Sequence, residues 1–335
     1  MDSFIHGLGY LGIGVLFLVF LFMFGLRRFL RKISAGGGER IGTPLRIHLE
    51  ECDSLYWVNQ SKVDEARQEF QKQGLTEIAS FKVNEMPGLN LLAFMLGSSG
   101  IIAIVYEKAA LGVWFDLVQY CDDGTSLTVS TAPKGAELKH RPGHDKVRSS
   151  GAAPADLYKL FEEKRSGLIA KNFASNKNEF VRLFEKAYAE ELDWRNSIGG
   201  VSESELRATA ALGGKVLTDE AFATLARNYR LKAASGFLTA LGYKYCEKNA
   251  ISEAQWAELS QDIVFVYDNL PVENLKETCS KMNIQLNDDL LAELSKNGLR
   301  TSLRTALARP ELSNKLTKID ELDYMLPVDV YKVAK

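Results

Sequence analysis

The chain has 335 residues, with 41 basic and 43 acidic side chains, a formal net charge of -2, 46% hydrophobic residues and 25% charged ones. That balance describes a chain that buries a core, about two domains' worth by length, and it excludes wholesale disorder, collagen and low-complexity sequence. Near-neutral charge argues against a dedicated nucleic-acid binder, and four cysteines argue against a small disulfide scaffold.

The first segment stands apart from the rest. Ser3 to Leu26 is 24 residues without Asp, Glu, Lys or Arg. As a helix it rises roughly 36 Å, enough to cross a hydrocarbon core of about 30 Å. Arg27, Arg28, Arg31 and Lys32 follow directly, whereas only Asp2 precedes the run. The positive-inside rule places this basic flank in the cytoplasm and the N-terminus outside. A cleaved signal peptide would carry its charges before the apolar run and end in small residues. Residues 1–33 therefore read as an uncleaved single-pass anchor with its basic flank, in a bacterial inner membrane. Gly7-Leu8-Gly9-Tyr10-Leu11-Gly12 spells the dinucleotide fingerprint, but no strand precedes it and a lipid-facing run follows. The glycines fit a small-residue face for another membrane helix instead.

Residues 34–44, with Gly36-Gly37-Gly38, read as a flexible tether spanning roughly 18 Å. An α+β domain is expected over 45–197. Ser61 with Asp64 resembles a capping box, Val63, Ala66 and Phe70 share a helical face, and Gly74 stops the helix. Five apolar or alternating runs follow, at 78–83, 89–96, 101–106, 113–120 and 126–131. The short turns between them permit antiparallel neighbours but no crossover, so an antiparallel meander is expected, with flanking helices opened by Pro154 and running from Asn178 to Arg195. Gly199-Gly200 marks a break. Residues 198–335 show no convincing strand succession and read as an all-α domain. Ser202 with Glu205 and Ser252 with Gln255 look like caps, Pro271 opens a helix carrying Leu275 and Cys279, and Asn297-Gly298 ends one.

Glu85-Met86-Pro87-Gly88, Val105-Tyr106-Glu107, Gly112-Val113-Trp114-Phe115-Asp116, Asp123 to Thr128 and Arg141-Pro142-Gly143-His144 together resemble a family of uncharacterised bacterial proteins. The resemblance covers about residues 75–194. It implies a bacterial origin and carries over no catalytic residue.

Reactive constellations are sparse. His140, His144 and Asp145 supply two imidazoles and a carboxylate within six residues, a candidate metal site that Cys121, Asp122 or Asp123 would complete. Pro142-Gly143 forbids the helical spacing that aims two histidines at one ion, so a polar loop is the blander alternative. No C-x-x-C, G-x-S-x-G or P-loop spacing occurs, and His48 has no evident acidic partner. Glu185, Glu190, Glu191 and Asp193 read as a solvated helix face. Arg227, Arg230, Lys232 and Lys244, interleaved with Tyr229, Tyr243 and Tyr245, likewise read as a soluble helix surface. On neighbouring strands Ser126, Thr128 and Ser130 alternate onto one face, as do Trp114, Asp116 and Tyr120, which makes a possible ligand face.

No cofactor is expected and no catalytic residue is specified. The leading reading is a membrane-anchored cytoplasmic interaction or scaffold protein with the bilayer and a protein partner at the inner membrane, and with no specific nucleic acid. The alternatives are a metal-assisted hydrolase using His140 and His144, and a small-ligand sensor using the face around Trp114. Converging polar groups in a concave site would favour these alternatives over a scaffold, which a flat apolar patch would favour.

Overall fold

The structure is a computed structural model that describes residues 44–109, 111–133, 138–281, 289, 292, 298–307 and 315–334. The anchor, its basic flank and the tether through residue 43 lie outside the described residues. Among the described residues no helix is long and apolar enough to cross a membrane. The chain is mixed α+β and divides into two compact units, one holding residues up to Leu192 with Arg207–Val216, the other Asp193–Leu206 and everything from Leu217.

The first unit is built on a seven-stranded sheet whose spatial order follows the chain: β1 Leu49–Glu51, β2 Thr76–Val83, β3 Leu89–Leu96, β4 Ile101–Lys108, β5 Gly112–Tyr120, β6 Ser126–Ser130 and β7 His144–Arg148. The five expected strands are all present. The meander is antiparallel through β6, but β7 pairs parallel to it, Ser126 opposite His144 and Ser130 opposite Arg148. A parallel neighbour needs a crossover, and the chain between Ser130 and His144 is long enough for one. The polar run His-Asp-Lys-Val-Arg lacks the apolar signal that marks the other strands, which is why it read as a loop.

Helix α1 spans Gln60–Lys72. Its cap is Asn59, not Ser61: the Asn59 carboxamide oxygen accepts the Lys62 N–H at 3.2 Å. The entry is fixed by Glu107 of β4, which is 2% exposed and accepts the Val58 and Asn59 N–H groups at 2.7 and 2.8 Å. Gly74 ends the helical segment at φ +85°, a conformation that costs a glycine little. α1 and α2, Pro154–Lys164, contribute Val63, Phe70, Leu157 and Phe161 to one face of the sheet. There Phe70 meets Phe94 and Phe115 edge to face at 5.5 and 6.3 Å. On the other face α3, Lys177–Ser197, stacks Phe180 on Phe81 at 5.2 Å.

The second unit overturns the expectation of an all-α domain. Besides α5 Asp219–Asn249, α6 Glu253–Leu259, α7 Val272–Lys281 and α8 Leu299–Ala306, it holds an antiparallel sheet of order β8-β10-β9, with β8 Ile263–Val266, β9 Leu316–Tyr324 and β10 Leu326–Val333. The preceding short helix, α4 at Glu203–Leu212, and α6 carry the expected Ser202/Glu205 and Ser252/Gln255 caps. Leu275 and Cys279 are buried on α7 as expected, and Gly298 precedes α8; the expected helix end at Asn297 lies outside the described residues. Its core gathers Phe237, Tyr267, Val328 and Val330, with Phe237 and Tyr267 in an edge contact at 5.3 Å.

At the heart of that sheet Asp329, fully buried, takes Arg304 in two hydrogen bonds of 2.5 Å and pairs with Lys318 at 2.9 Å and Arg300 at 3.2 Å. Burial alone would raise its carboxyl, but these donors overcome it and hold the group at about 2, below the ordinary 3.8. The unfolded carboxyl therefore binds a proton first, so this pairing stabilises fully above about pH 4 and is lost as pH falls toward 2. Asp329→Ala leaves three cations facing one another, and should destabilise the second unit by about 2–4 kcal/mol. Hydrogen exchange of β10 amides, followed from pH 6 to pH 2.5, should show protection falling in the native protein and a flatter profile in the variant.

Candidate ligand-binding site

Alternation along paired strands sorts side chains into two faces, and register aligns them in rows across the sheet. On the α3 side, one row runs Ile102, Val118, Thr128, Lys146 across β4 to β7, and its neighbour runs Tyr120, Ser126, His144. These rows are the floor of a cavity of about 210 Å³, roofed by α3 through Phe180, Leu183, Phe184, Ala187, Glu190 and Glu191. Its wall comes from two loops. One is the turn before β7, where Gly143 at φ +77° lets its carbonyl accept the Ser126 N–H at 2.9 Å and so presents His140 and Arg141. The other is the extended stretch 169–173, hydrogen-bonded along the end of β5 (Lys171 N–H to the Tyr120 carbonyl, 2.9 Å), which brings Lys171 to the rim. Gly100, at φ +63°, leaves room for that stretch: a Cβ there would come within 2.7 Å of the Lys171 carbonyl.

Two of the three readings made from sequence thus meet at one place. Tyr120 of the expected ligand face and His140 and His144 of the expected metal loop line the same cavity, with Ser126 and Thr128 between them. Trp114 and Asp116 belong to the same sheet face but are otherwise engaged. The Trp114 ring stacks on Tyr106 at 5.1 Å and 7°. Asp116, fully buried, accepts the Ser130 hydroxyl at 2.5 Å. Asp145 is exposed, one residue out of phase with His144 and Lys146 and so on the opposite face of the sheet from them. Among the described residues no group of three or more His, Cys, Asp or Glu is arranged to hold a metal.

The structure also corrects two electrostatic expectations. The acidic stretch of α3 is not a solvated face: Glu185 accepts the Leu49 N–H at 2.8 Å, Glu190 pairs with Arg141 at 3.0 Å, Glu191 is 7% exposed, and Asp193 accepts the Tyr324 hydroxyl at 2.7 Å. His48 has an acidic partner after all, Glu85 at 2.6 Å, and that hydrogen bond raises its pKa. Residues missed from sequence are the cations Arg141, Lys146, Lys171, Arg182 and Lys186, all of which line the cavity. The His144, Lys146, Arg148 alternation was the available signal, obscured by the assumption that a charged run is a loop.

Inside the cavity the titratable groups are displaced from their ordinary values. Burial lowers the Lys146 ammonium to about 8, with Asp116 opposing and Arg148 reinforcing the shift. Burial pushes the Tyr120 phenol up to about 12, with Glu190 adding to it. The His144 ring, whose Nδ1 shares a 2.8 Å hydrogen bond with the Ser126 hydroxyl, sits below 6.5 through burial and the Arg141 charge. Neutral His144 and Ser126 offer paired donor and acceptor groups to the cavity.

In comparisons with protein-family models, curated proteins and solved structures, none matched this chain. The site is therefore argued from its own geometry.

The charges around His144 give a signed expectation. Arg141→Gln removes the cation that depresses the ring and frees Glu190 to raise it, so the His144 pKa should rise. Glu190→Gln should lower it further. NMR titration of the imidazole carbons reads both shifts; equal or reversed shifts would contradict the arrangement.

Proposed function

We propose that the protein is a membrane-tethered small-molecule-binding protein, its ligand seated between the seven-stranded sheet and α3. The observation that supports this most is the convergence on one concave site of groups from four strands, one helix and three loops, the β5–β6 turn with Thr125 among them. Displaced titratable groups in a cleft are a recognised mark of functional sites. The metal-assisted hydrolase reading finds less support, because Asp145 lies on the opposite face of the sheet from His144.

A ligand that seats in the cavity should raise the melting temperature in a small-molecule screen. Ala187→Trp fills the space from the roof, and should abolish that stabilisation while leaving the fold intact by circular dichroism. A screen without hits, together with a higher melting point for Ala187→Trp, would mean the space is a packing defect.

The interaction reading keeps one supporting observation. Tyr56 and Val58 flank buried Trp57 and are 83% and 66% exposed, a small apolar contact for a partner that reads the ligand state. The proposed location is the bacterial inner membrane, with the N-terminus out and the body of the chain in the cytoplasm. It rests on the charge asymmetry of Arg27, Arg28, Arg31 and Lys32 about the apolar run. A reporter active only in the periplasm, fused after Lys335, should stay silent. Activity there would reverse the topology.

A further inference from the structure

We propose that the ligand is a small amphiphilic anion, with its phosphate or carboxylate held on the β7 side of the cavity and its carbon skeleton over β4 and β5. This rests on the ligand-binding reading above and adds the chemistry of what is bound.

The floor is graded. Along the row Ile102, Val118, Thr128, Lys146 the side chains pass from two aliphatic groups through a hydroxyl to an ammonium. Adjacent strands lie about 4.8 Å apart, so the row spans about 14 Å. The roof adds apolar surface through Phe180 and Phe184, which stack on each other at 5.7 Å. A purely polar ion would leave that apolar half of the cavity unfilled, and a hydrocarbon would leave the other half's donors without a partner.

Charge selects the sign. The lining holds five lysines and arginines against two glutamates, and one of the five, Arg182, is taken by Glu179 beside it. Glu190 is already engaged by Arg141 at 3.0 Å and Lys186 at 3.7 Å. The Lys146 and Lys171 ammonium groups make no hydrogen bond or ion pair to any described residue, although Lys146 is partly buried between Asp116 and Arg148 of the sheet and Glu191 of α3. Asp116 and Glu191 act on the Lys146 ammonium through space without hydrogen-bonding it, so a cationic ligand would be repelled by Lys146 and Lys171 and a neutral one would leave the ammonium without a strong acceptor. An oxyanion supplies that charge and also accepts from Arg141, the Thr128 hydroxyl and the His144–Ser126 pair. The volume, about 210 Å³, equals roughly seven waters at about 30 Å³ each, room for one ring or short chain plus an oxyanion.

The test is calorimetry on the full chain in detergent, with four probes of similar size: phenyl phosphate, phenylacetate, benzyl alcohol and benzylamine. Phenyl phosphate and phenylacetate should bind and the other two should not, the stronger of the pair showing whether the site prefers phosphate or carboxylate. Lys146→Met should weaken the anion at least tenfold while keeping or raising the melting temperature, and Lys171→Met, at the exposed rim, should weaken it less. At pH 8.5 anion binding should take up protons, read from the dependence of the heat on buffer ionisation, and Lys146→Met should remove that uptake. Tighter binding of benzyl alcohol or benzylamine, abolished by Ala187→Trp, would overturn the anion inference and leave the ligand-binding reading standing. Anion binding that is unchanged in Lys146→Met and Ala187→Trp would be surface attraction and overturn the inference. No binding of any probe, with Ala187→Trp more stable than the native protein, would overturn both.

Discussion

A side chain on a β-strand belongs to one face of the sheet or the other, and in the first unit the two faces carry different chemistry. Leu92, Phe94, Ala103, Val105, Phe115, Leu117, Leu127 and Val129 make the middle of the face under α1 and α2 apolar. The opposite face changes character as the strands succeed one another, from Phe81 and Leu91 to His144, Lys146 and Arg148. α3 repeats the change along its own length, with Phe180 and Phe184 in its first turns and Glu190 and Glu191 in its later ones. A one-residue slip of β7 against β6 would put Asp145 and Val147 where His144 and Lys146 stand, so the site depends on register as much as on residue type.

What the sequence disclosed follows from how each element announces itself. Strands β2 to β6 are apolar or alternating and bounded by turn residues, and the two faces of Trp114, Asp116, Tyr120 and of Ser126, Thr128, Ser130 follow from period two alone. β7 is charged, pairs parallel, and reaches its partner from eighteen positions away, so nothing local joins His144 to Ser126. The second sheet was hidden differently. β9 is rich in Lys, Asp and Glu, β10 carries Pro327 and Asp329, and the charges that argue against a strand locally are those that pair across it once folded. The inward turn of Glu190 and Glu191 was illegible because a helical acidic run looks alike whether it faces water or a cation on another element.

The two units treat charge in opposite ways. Asp329 is fully buried yet surrounded by Arg300, Arg304 and Lys318, and its ionised form is stabilised. Lys146 is held among groups that do not hydrogen-bond it, and its ionised form is penalised. The first arrangement is complete within the unit and serves stability. The second leaves an ammonium with no hydrogen-bonding partner among the described residues, and the proposed anion site rests on that difference.

β7 is also the last strand of its sheet among the described residues, with one backbone edge that no described strand pairs. Such an edge invites pairing with a second molecule, and proteins guard it with charged side chains. Four of its five residues are His144, Asp145, Lys146 and Arg148, leaving Val147 as the one apolar position. The same ladder of charges that gives the cavity its polarity therefore discourages strand-to-strand aggregation. Variation that made the pocket more hydrophobic by replacing His144 and Lys146 would weaken that guard, so solubility limits how far the site can change its chemistry.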